Sequence, residues 1–240
     1  MHELDIDINA LKFKSRQIRK LMFDYTIPEK TYHFGGNLSC VEFLVYLYYY
    51  LLKNPKIENT DRDSFIFSKG HNVYTLYTIF ADIGLIDFNE LLEYKEIGSR
   101  LQSHPDIRKL KYLDFSSGSL GQGISVGIGI AISNILKKNN KRVYVLLGDG
   151  ELQEGQVWEA FMSASKYELS NLVCVIDYNK LQVDGRTKDI MNLEPLVDKI
   201  KAFGFHVIEV TDGNNIELIH KAFKNLNYGN GKPKAVILNT

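Results

Sequence analysis

Two apolar strands and the helix between them are written in residues 143–185, VYVLLGDGELQEGQVWEAFMSASKYELSNLVCVIDYNKLQVDG. Asp149 closes the first apolar run and Asn179 the second. The 28 residues from 151 to 178 suffice for a turn, a helix and the return into a parallel neighbour. In parallel sheets ligands collect at the carboxyl ends of the strands, so both side chains are expected on one binding edge. An isolated Gly-Asp-Gly is a turn and a lone Asn its own cap, but the pair at this spacing points to a shared site. An Asp carboxylate, an Asn amide oxygen and a loop carbonyl form a hard-oxygen set suited to Mg²⁺ or Ca²⁺ and unsuited to zinc. Mg²⁺ takes six oxygens, which leaves positions for phosphate oxygens and water, so a metal-bridged diphosphate is the expected ligand. Gly150 lets the backbone come close to it, and a helix beginning at Glu151 would aim N–H groups at the same anion.

Further apolar runs at Ser64 to Ser68, Phe205 to Val210 and Ala235 to Leu238 join Arg142 to Leu147 and Leu172 to Ile176. None has a polar face. Continuous apolar strands alternating with helices predict an α/β fold, a mostly parallel sheet covered by helices on both faces. Helices are expected at Asp7 to Tyr25, Ser39 to Leu52, His71 to Ile83, Leu120 to Lys138, Glu151 to Tyr167, Leu193 to Phe203 and Asn215 to Leu226. Residues 1–240 read as one domain, with residues 1–30 an N-terminal helical segment.

Composition narrows the function. Formal net charge is zero across 240 residues, which gives no electrostatic support for a nucleic-acid or anionic-membrane partner. The cluster Lys137, Lys138, Lys141 and Arg142 reads as a solvated helix end and loop. The longest apolar run, Phe43 to Leu52 (FLVYLYYYLL), is too short to span a bilayer and is expected deep in the core or against another chain. The N-terminus lacks the pattern of a secretion signal. Cys40 and Cys174 sit among apolar neighbours, as buried free thiols of a reducing compartment do, so a cytoplasmic location is expected.

A second glycine-rich element, SSGSLGQG at 116–123, runs into an apolar helix. It does not have the spacing of a dinucleotide fingerprint. For Gly127 and Gly129 within that helix, close helix packing is the simplest reading. Three of the six histidines stand where loops meet helices: His33 in YHFGGNLS, His71 in FSKGHNVY and His104 in LQSHPD. They invite a joint reading as proton-transfer groups. His2, His206 and His220 are terminal, in a strand and on an amphipathic helix, and carry no such signal.

With these elements in order (HFGGNLS, SKGH, SSGSLGQG, GDGELQEGQVWEA), the chain resembles the transketolase family from about Leu11 onward, in its N-terminal, diphosphate-binding domain. The Gly-Asp-Gly and Asn pair is common to thiamine-diphosphate enzymes; the other motifs are specific to transketolases. The resemblance implies a thiamine-diphosphate-binding fold with that cofactor and Mg²⁺ or Ca²⁺. It implies metal binding by Asp149, the Asn179 side chain and the Leu181 carbonyl. Cofactor contacts would come from His71, Gly118, Ser119, Leu120, Gly150 and Asn179, and catalytic roles from His33, His71 and His104. Glu154 resembles a glutamate that links two active sites across a dimer. The implied reaction moves a two-carbon ketol unit from a ketose to an aldose, with sugars or sugar phosphates as substrates. The glutamate that activates the cofactor's aminopyrimidine belongs, in the family, to a following pyrimidine-binding domain. The resemblance therefore implies the N-terminal subunit of a split transketolase, self-associating and completed by a separate C-terminal subunit in a heterotetramer. The alternatives are a 1-deoxyxylulose-phosphate-synthase-like activity and a non-catalytic role in cofactor binding or assembly. His33-Phe34-Gly35 departs from the family's usual His-Pro-Gly.

Overall fold

The apolar runs form one five-stranded sheet, all parallel, in the computed structural model, which describes residues 6–53 and 62–240. The strands are β1 (Ser64–Phe67), β2 (Val143–Gly148), β3 (Leu172–Tyr178), β6 (His206–Val210) and β7 (Lys234–Asn239), in the order β1-β2-β3-β7-β6. A separate two-residue hairpin, β4 (Leu181–Gln182) with β5 (Gly185–Arg186), follows β3 and leads into the short helix α7 (Thr187–Ile190). Alternate side chains of each strand enter different cores. Phe65, Phe67, Tyr144, Leu146, Val173 and Val236 pack on one face, under helices α1 (Ile8–Asp24), α3 (Val41–Tyr46), α4 (Tyr74–Asp82) and α9 (Ile216–Lys224). Ile66, Val145, Leu147, Cys174, Ile176 and Ile237 pack on the other, under α5 (Gln122–Leu136), α6 (Gly155–Lys166) and α8 (Leu196–Ala202). This two-sided burial is why β1, β2, β3 and β7 carry no polar face; β6, at the sheet edge, departs from that expectation, with Glu209 exposed and only Val210 fully buried.

Local signals set the helix ends. Asp7 caps α1 by accepting from the Ala10 N–H at 2.9 Å, and Leu11, Ser15, Ile18 and Met22 form its buried stripe. Asn215 caps α9 by accepting from the N–H groups of Glu217 and Leu218. Cys40 and Cys174 are buried and unbridged. No helix among the described residues is long and apolar enough to cross a membrane.

Two helices depart from expectation. The segment expected as one helix from Ser39 begins earlier, as α2 (Phe34–Ser39), breaks at Cys40, and after α3 ends in a π-turn at Leu47–Leu51. The break has a cause: the Gly36 carbonyl accepts from Lys69 Nζ at 2.9 Å and the Asn37 carbonyl from Thr75 Oγ1 at 2.8 Å, so both are drawn to tertiary partners. Residues 41 to 47 are at most 1% exposed apart from Glu42, which places the first half of the Phe43 to Leu52 run in the core, while Tyr49, Tyr50 and Leu51 are half-buried. The helix expected from Glu151 starts at Gly155, after a 3₁₀ turn at Gly150–Gln153. Glu151 turns inward instead. Its carboxylate accepts from Ser68 Oγ (2.5 Å), the Gly121 N–H (2.9 Å) and the Gly148 N–H (3.1 Å), which ties the ends of β1 and β2 to the start of α5. His2 lies outside the described residues. His206 is in β6, and His220 packs its ring against Tyr46 and Tyr50.

Candidate active site

Four loops leave the carboxyl edge of the sheet side by side. After β1 the chain runs through Ser68 and Lys69 into a 3₁₀ turn, Gly70–Asn72, which carries His71. After β2 comes Asp149, after β3 comes Asn179, and after β7 comes Thr240. Two more segments close over them. The 116–121 loop is pinned by Ser117 Oγ donating to the Phe67 carbonyl at 2.6 Å, and Gly121 enters α5 at φ +80°, a left-handed conformation that suits glycine. The His33 segment is held at its own carbonyl, which accepts from the Asn37 N–H (2.9 Å), Asn37 Nδ2 (3.0 Å) and Asn72 Nδ2 (3.3 Å).

Asp149 is 2% exposed. Oδ1 accepts from the Gly150 N–H at 2.8 Å, and Oδ2 from the Lys180 N–H at 2.7 Å and Thr187 Oγ1 at 3.0 Å. All three donors are neutral, and burial raises the carboxyl pKa above its usual range even so. A buried carboxylate with neutral neighbours and a lone pair left over suits a cation. The backbone groups of the Asp149 and Asn179 loops are already linked, the Asp149 N–H donating to the Asp177 carbonyl at 3.2 Å. Asn179 caps its own turn, Oδ1 accepting from the Leu181 N–H at 2.9 Å. That leaves the amide oxygen one further lone pair. Leu181 begins the β4–β5 hairpin and is exposed. A Cβ at Gly150 would meet only the Gln182 side chain, at 3.5 Å, so the backbone there is open on its other sides. Among the described residues no three His, Cys, Asp or Glu side chains are arranged to hold a metal. A cation bound here would draw on one carboxylate, amide and carbonyl oxygens, and oxygens of its ligand.

The three loop histidines come together. The rings of His33 and His71 meet edge to face with centroids 5.5 Å apart. His71 is drawn down to about 4, first by burial and then by the positive charge of Lys69, with the neighbouring His33 and His104 adding to the effect. His104 is lowered by burial and by His33 and Lys95. A Cβ at Gly118 would touch the His104 ring at 3.6 Å, so the bare backbone of the 116–121 loop lies against that imidazole. Ser119 is exposed beside it and Leu120 half-buried. Glu154 is exposed at the start of α6, its Cβ 3.1 Å from where a Gly121 Cβ would stand. The arrangement can therefore present a hard-oxygen cation site, open backbone for an anion and, at His71, an imidazole kept neutral near pH 7 as a proton acceptor.

Sequence reasoning missed the groups behind these side chains. Lys69 and Asp177 form an ion pair at 2% and 1% exposure, and Asn37, Asn72 and Thr75 fix the His33 segment. An aspartate inside the apolar run LVCVID was the available signal, because a charge in a two-sided buried strand needs a partner.

Comparison with known proteins identifies the family. Residues 12–240 match the family model described as transketolase, thiamine diphosphate binding domain. The chain is 37% identical over 237 residues to one of the subunits of the apulose-4-phosphate transketolase of Phocaeicola vulgatus, covering 98% of this chain and 84% of that protein. It is 39% identical over 244 residues to a 6-deoxy-6-sulfo-D-fructose transketolase subunit of a Clostridium species, covering 100% of this chain and 86% of that protein. The solved transketolase of Leishmania mexicana superposes with a TM-score of 0.89 at 29% identity, over 96% of this chain and 36% of that one. The chain thus spans most of the length of the subunit relatives and about a third of the single-chain enzyme. On the strength of the matched domain, the fold and these relatives, the chain belongs to the transketolase family.

Proposed function

We propose that this chain is the diphosphate-binding subunit of a two-subunit, thiamine-diphosphate-dependent transketolase that moves a two-carbon ketol unit from a ketose to an aldose in the cytoplasm. Its partner is a separate pyrimidine-binding subunit in a heterotetramer, and its domain is the whole of residues 1–240. The observation that carries the reading is the buried Asp149 carboxylate, held by neutral donors that include the Lys180 N–H of the Asn179 turn, at the sheet edge from which the His71 turn also leaves. The naming of the similar proteins as subunits supports the division of labour. So does the exposed apolar surface of Leu181, Val183, Ile190 and Met191 on the hairpin and α7, which suits coverage by another chain.

Asp149, the Asn179 amide oxygen and the Leu181 carbonyl are assigned to Mg²⁺. Gly150 and Asn179 are assigned to the diphosphate, and Gly118, Ser119, Leu120 and His71 to the rest of the cofactor. Thiamine diphosphate, when bound, supplies the nucleophilic carbon and the electron sink. The chain's own part is to orient and to move protons. His71, neutral near pH 7, accepts a proton from a sugar hydroxyl at a ring nitrogen, and His33 and His104 stand beside it to bind and relay. Glu154, at the exposed start of α6, is assigned to contact between subunits.

The test is calorimetry of thiamine diphosphate with and without Mg²⁺, followed by a ketol-transfer assay of the chain alone and with the partner that co-purifies with it. Metal-dependent binding and activity only in the complex are expected. Ketol transfer by the chain alone at normal enzymatic rates would sink the two-subunit reading, and absence of metal-dependent binding in the complex would favour an assembly role.

A further inference from the structure

One ion pair sits at the crossing of the loops that carry the candidate site, and nothing in the proposed chemistry uses it. Lys69 and Asp177 are both fully enclosed. Lys69 Nζ donates to Asp177 Oδ2 and, at 2.9 Å, to the Gly36 carbonyl. Asp177 also accepts from Ser39 Oγ at Oδ2 (2.5 Å) and from Thr240 Oγ1 at Oδ1 (2.6 Å). Lys69 stands two residues before His71, Asp177 two before Asn179, and Gly36 three after His33. The same few atoms thus join the backbone of the His71 turn, the Asn179 turn, the His33 segment and the chain as it leaves β7.

We propose that the Lys69–Asp177 pair is the positioning element of the site, fixing the His33 and His71 segments relative to the Asn179 turn. A carboxylate with three donors and an ammonium with two acceptors are strongly directional, so each partner fixes where several backbones stand. A buried pair is weak as a source of stability, because desolvation offsets most of the attraction, and two apolar side chains would fill the same space. What apolar side chains cannot do is hold the Gly36 carbonyl, Ser39 and Thr240 at set positions. Lys69 has an electrostatic role as well: its charge is the largest effect after burial that keeps His71 neutral, alongside His33 and His104, with Asp177 opposing.

This inference rests on the proposed function only for its cofactor arm, and the experiment separates the two. The variant is Lys69→Met with Asp177→Leu in the full chain, which removes both charges together and so avoids a stranded one. In the unliganded chain, three results are expected: a melting temperature close to wild type, hydrogen exchange of the Asn37 and Asn72 amides faster by about tenfold or more, and a His71 titration moved up toward the ordinary imidazole value. With Mg²⁺ and thiamine diphosphate, affinity is expected to fall by about tenfold or more, as when outer partners of a metal site are removed. A folded double variant with wild-type exchange in both segments and wild-type His71 titration overturns the proposal. Should the double variant fail to fold, Lys69→Arg carries the same test, since it keeps the charge and displaces the nitrogen; unchanged exchange then overturns it. If wild type itself binds no thiamine diphosphate, the proposed function fails while the exchange and titration still decide the positioning role.

Discussion

Gly127→Ala and Gly129→Ala, two identical substitutions two residues apart on α5, are expected to move stability in opposite directions. In a helix interior Ala exceeds Gly by about 1 kcal/mol at either position. At Gly127 the added Cβ would lie 2.6 Å from Val145 Cγ2 and 3.5 Å from Ile66 Cδ1. Val145 is fully buried in β2, and a β-branched side chain has few other rotamers, so it cannot yield. Such overpacking costs typically about 1–3 kcal/mol, and a contact about 1 Å too short belongs at the upper end. The net expectation for Gly127→Ala is a loss of about 1–2 kcal/mol. At Gly129 nothing lies within 4 Å of the new Cβ, so the helix gain is kept, about 0.5–1 kcal/mol. The sequence suggested close packing at both positions; the structure places it at Gly127 and leaves Gly129 on the outer face. At about 2–4 °C per kcal/mol for a chain of this size, Gly127→Ala should melt about 2–8 °C below wild type and Gly129→Ala about 1–4 °C above it. Circular-dichroism melts at several protein concentrations, with the association state followed by sedimentation, make the measurement. A Gly127→Ala protein that melts at or above wild type would refute the reasoning. A Gly129→Ala protein that melts lower, more so at higher concentration, would mean that another molecule covers the outer face of α5.

Three further outcomes follow from the site. Asp149→Ala should abolish the Mg²⁺ dependence of thiamine diphosphate binding, so that calorimetry gives one weak affinity with or without metal; a surviving dependence would put the cation elsewhere. Lys69→Met alone strands the Asp177 charge at 1% exposure and should cost about 3–5 kcal/mol in urea unfolding, far more than the paired Lys69→Met, Asp177→Leu change. His71 is held at about 4, below its unfolded value of about 6.5, so its neutral form contributes stability that is present above about pH 6.5 and is lost as pH falls toward 4, at most about 3 kcal/mol before solvent screening. Its ring resonances, assigned with His71→Gln, should stay still between pH 8 and 5; a midpoint near 6.5 would contradict its burial.

The five strands lie within two residues of where their apolar runs place them, because burial on both faces leaves a signal in every residue of the inner strands, while edge strand β6 is marked only by Val207, Ile208 and Val210. The places of Asp149 and Asn179 were legible for a related reason, since each ends an apolar run, whereas His104 lies in a loop with no helix beside it and its nearness to His33 and His71 could not be read locally. What stayed hidden is long-range. Nothing near Lys69 announces that its partner lies 108 residues away, and Ser-Lys-Gly-His reads as an exposed turn until β3 is laid beside it. The break at Cys40 is hidden in the same way, since it comes from carbonyls claimed by Lys69 and Thr75, residues that local propensity does not see. The inward turn of Glu151 is of this kind too. Its neighbours in sequence suggest the first turn of a helix, while its hydrogen-bond partners come from the loops after β1 and before α5.

Strand order has a consequence for biosynthesis. β7, residues 234–239, does not sit at the rim but is inserted between β3 and β6, pairing with both. Until those residues emerge from the ribosome, β3 has a bare edge and β6 has no neighbour to pair with. The sheet therefore cannot close progressively as the chain is made, and the nascent domain waits with an unpaired apolar strand edge for β7. An emerging chain is therefore open to edge-to-edge misassembly until β7 is free to pair.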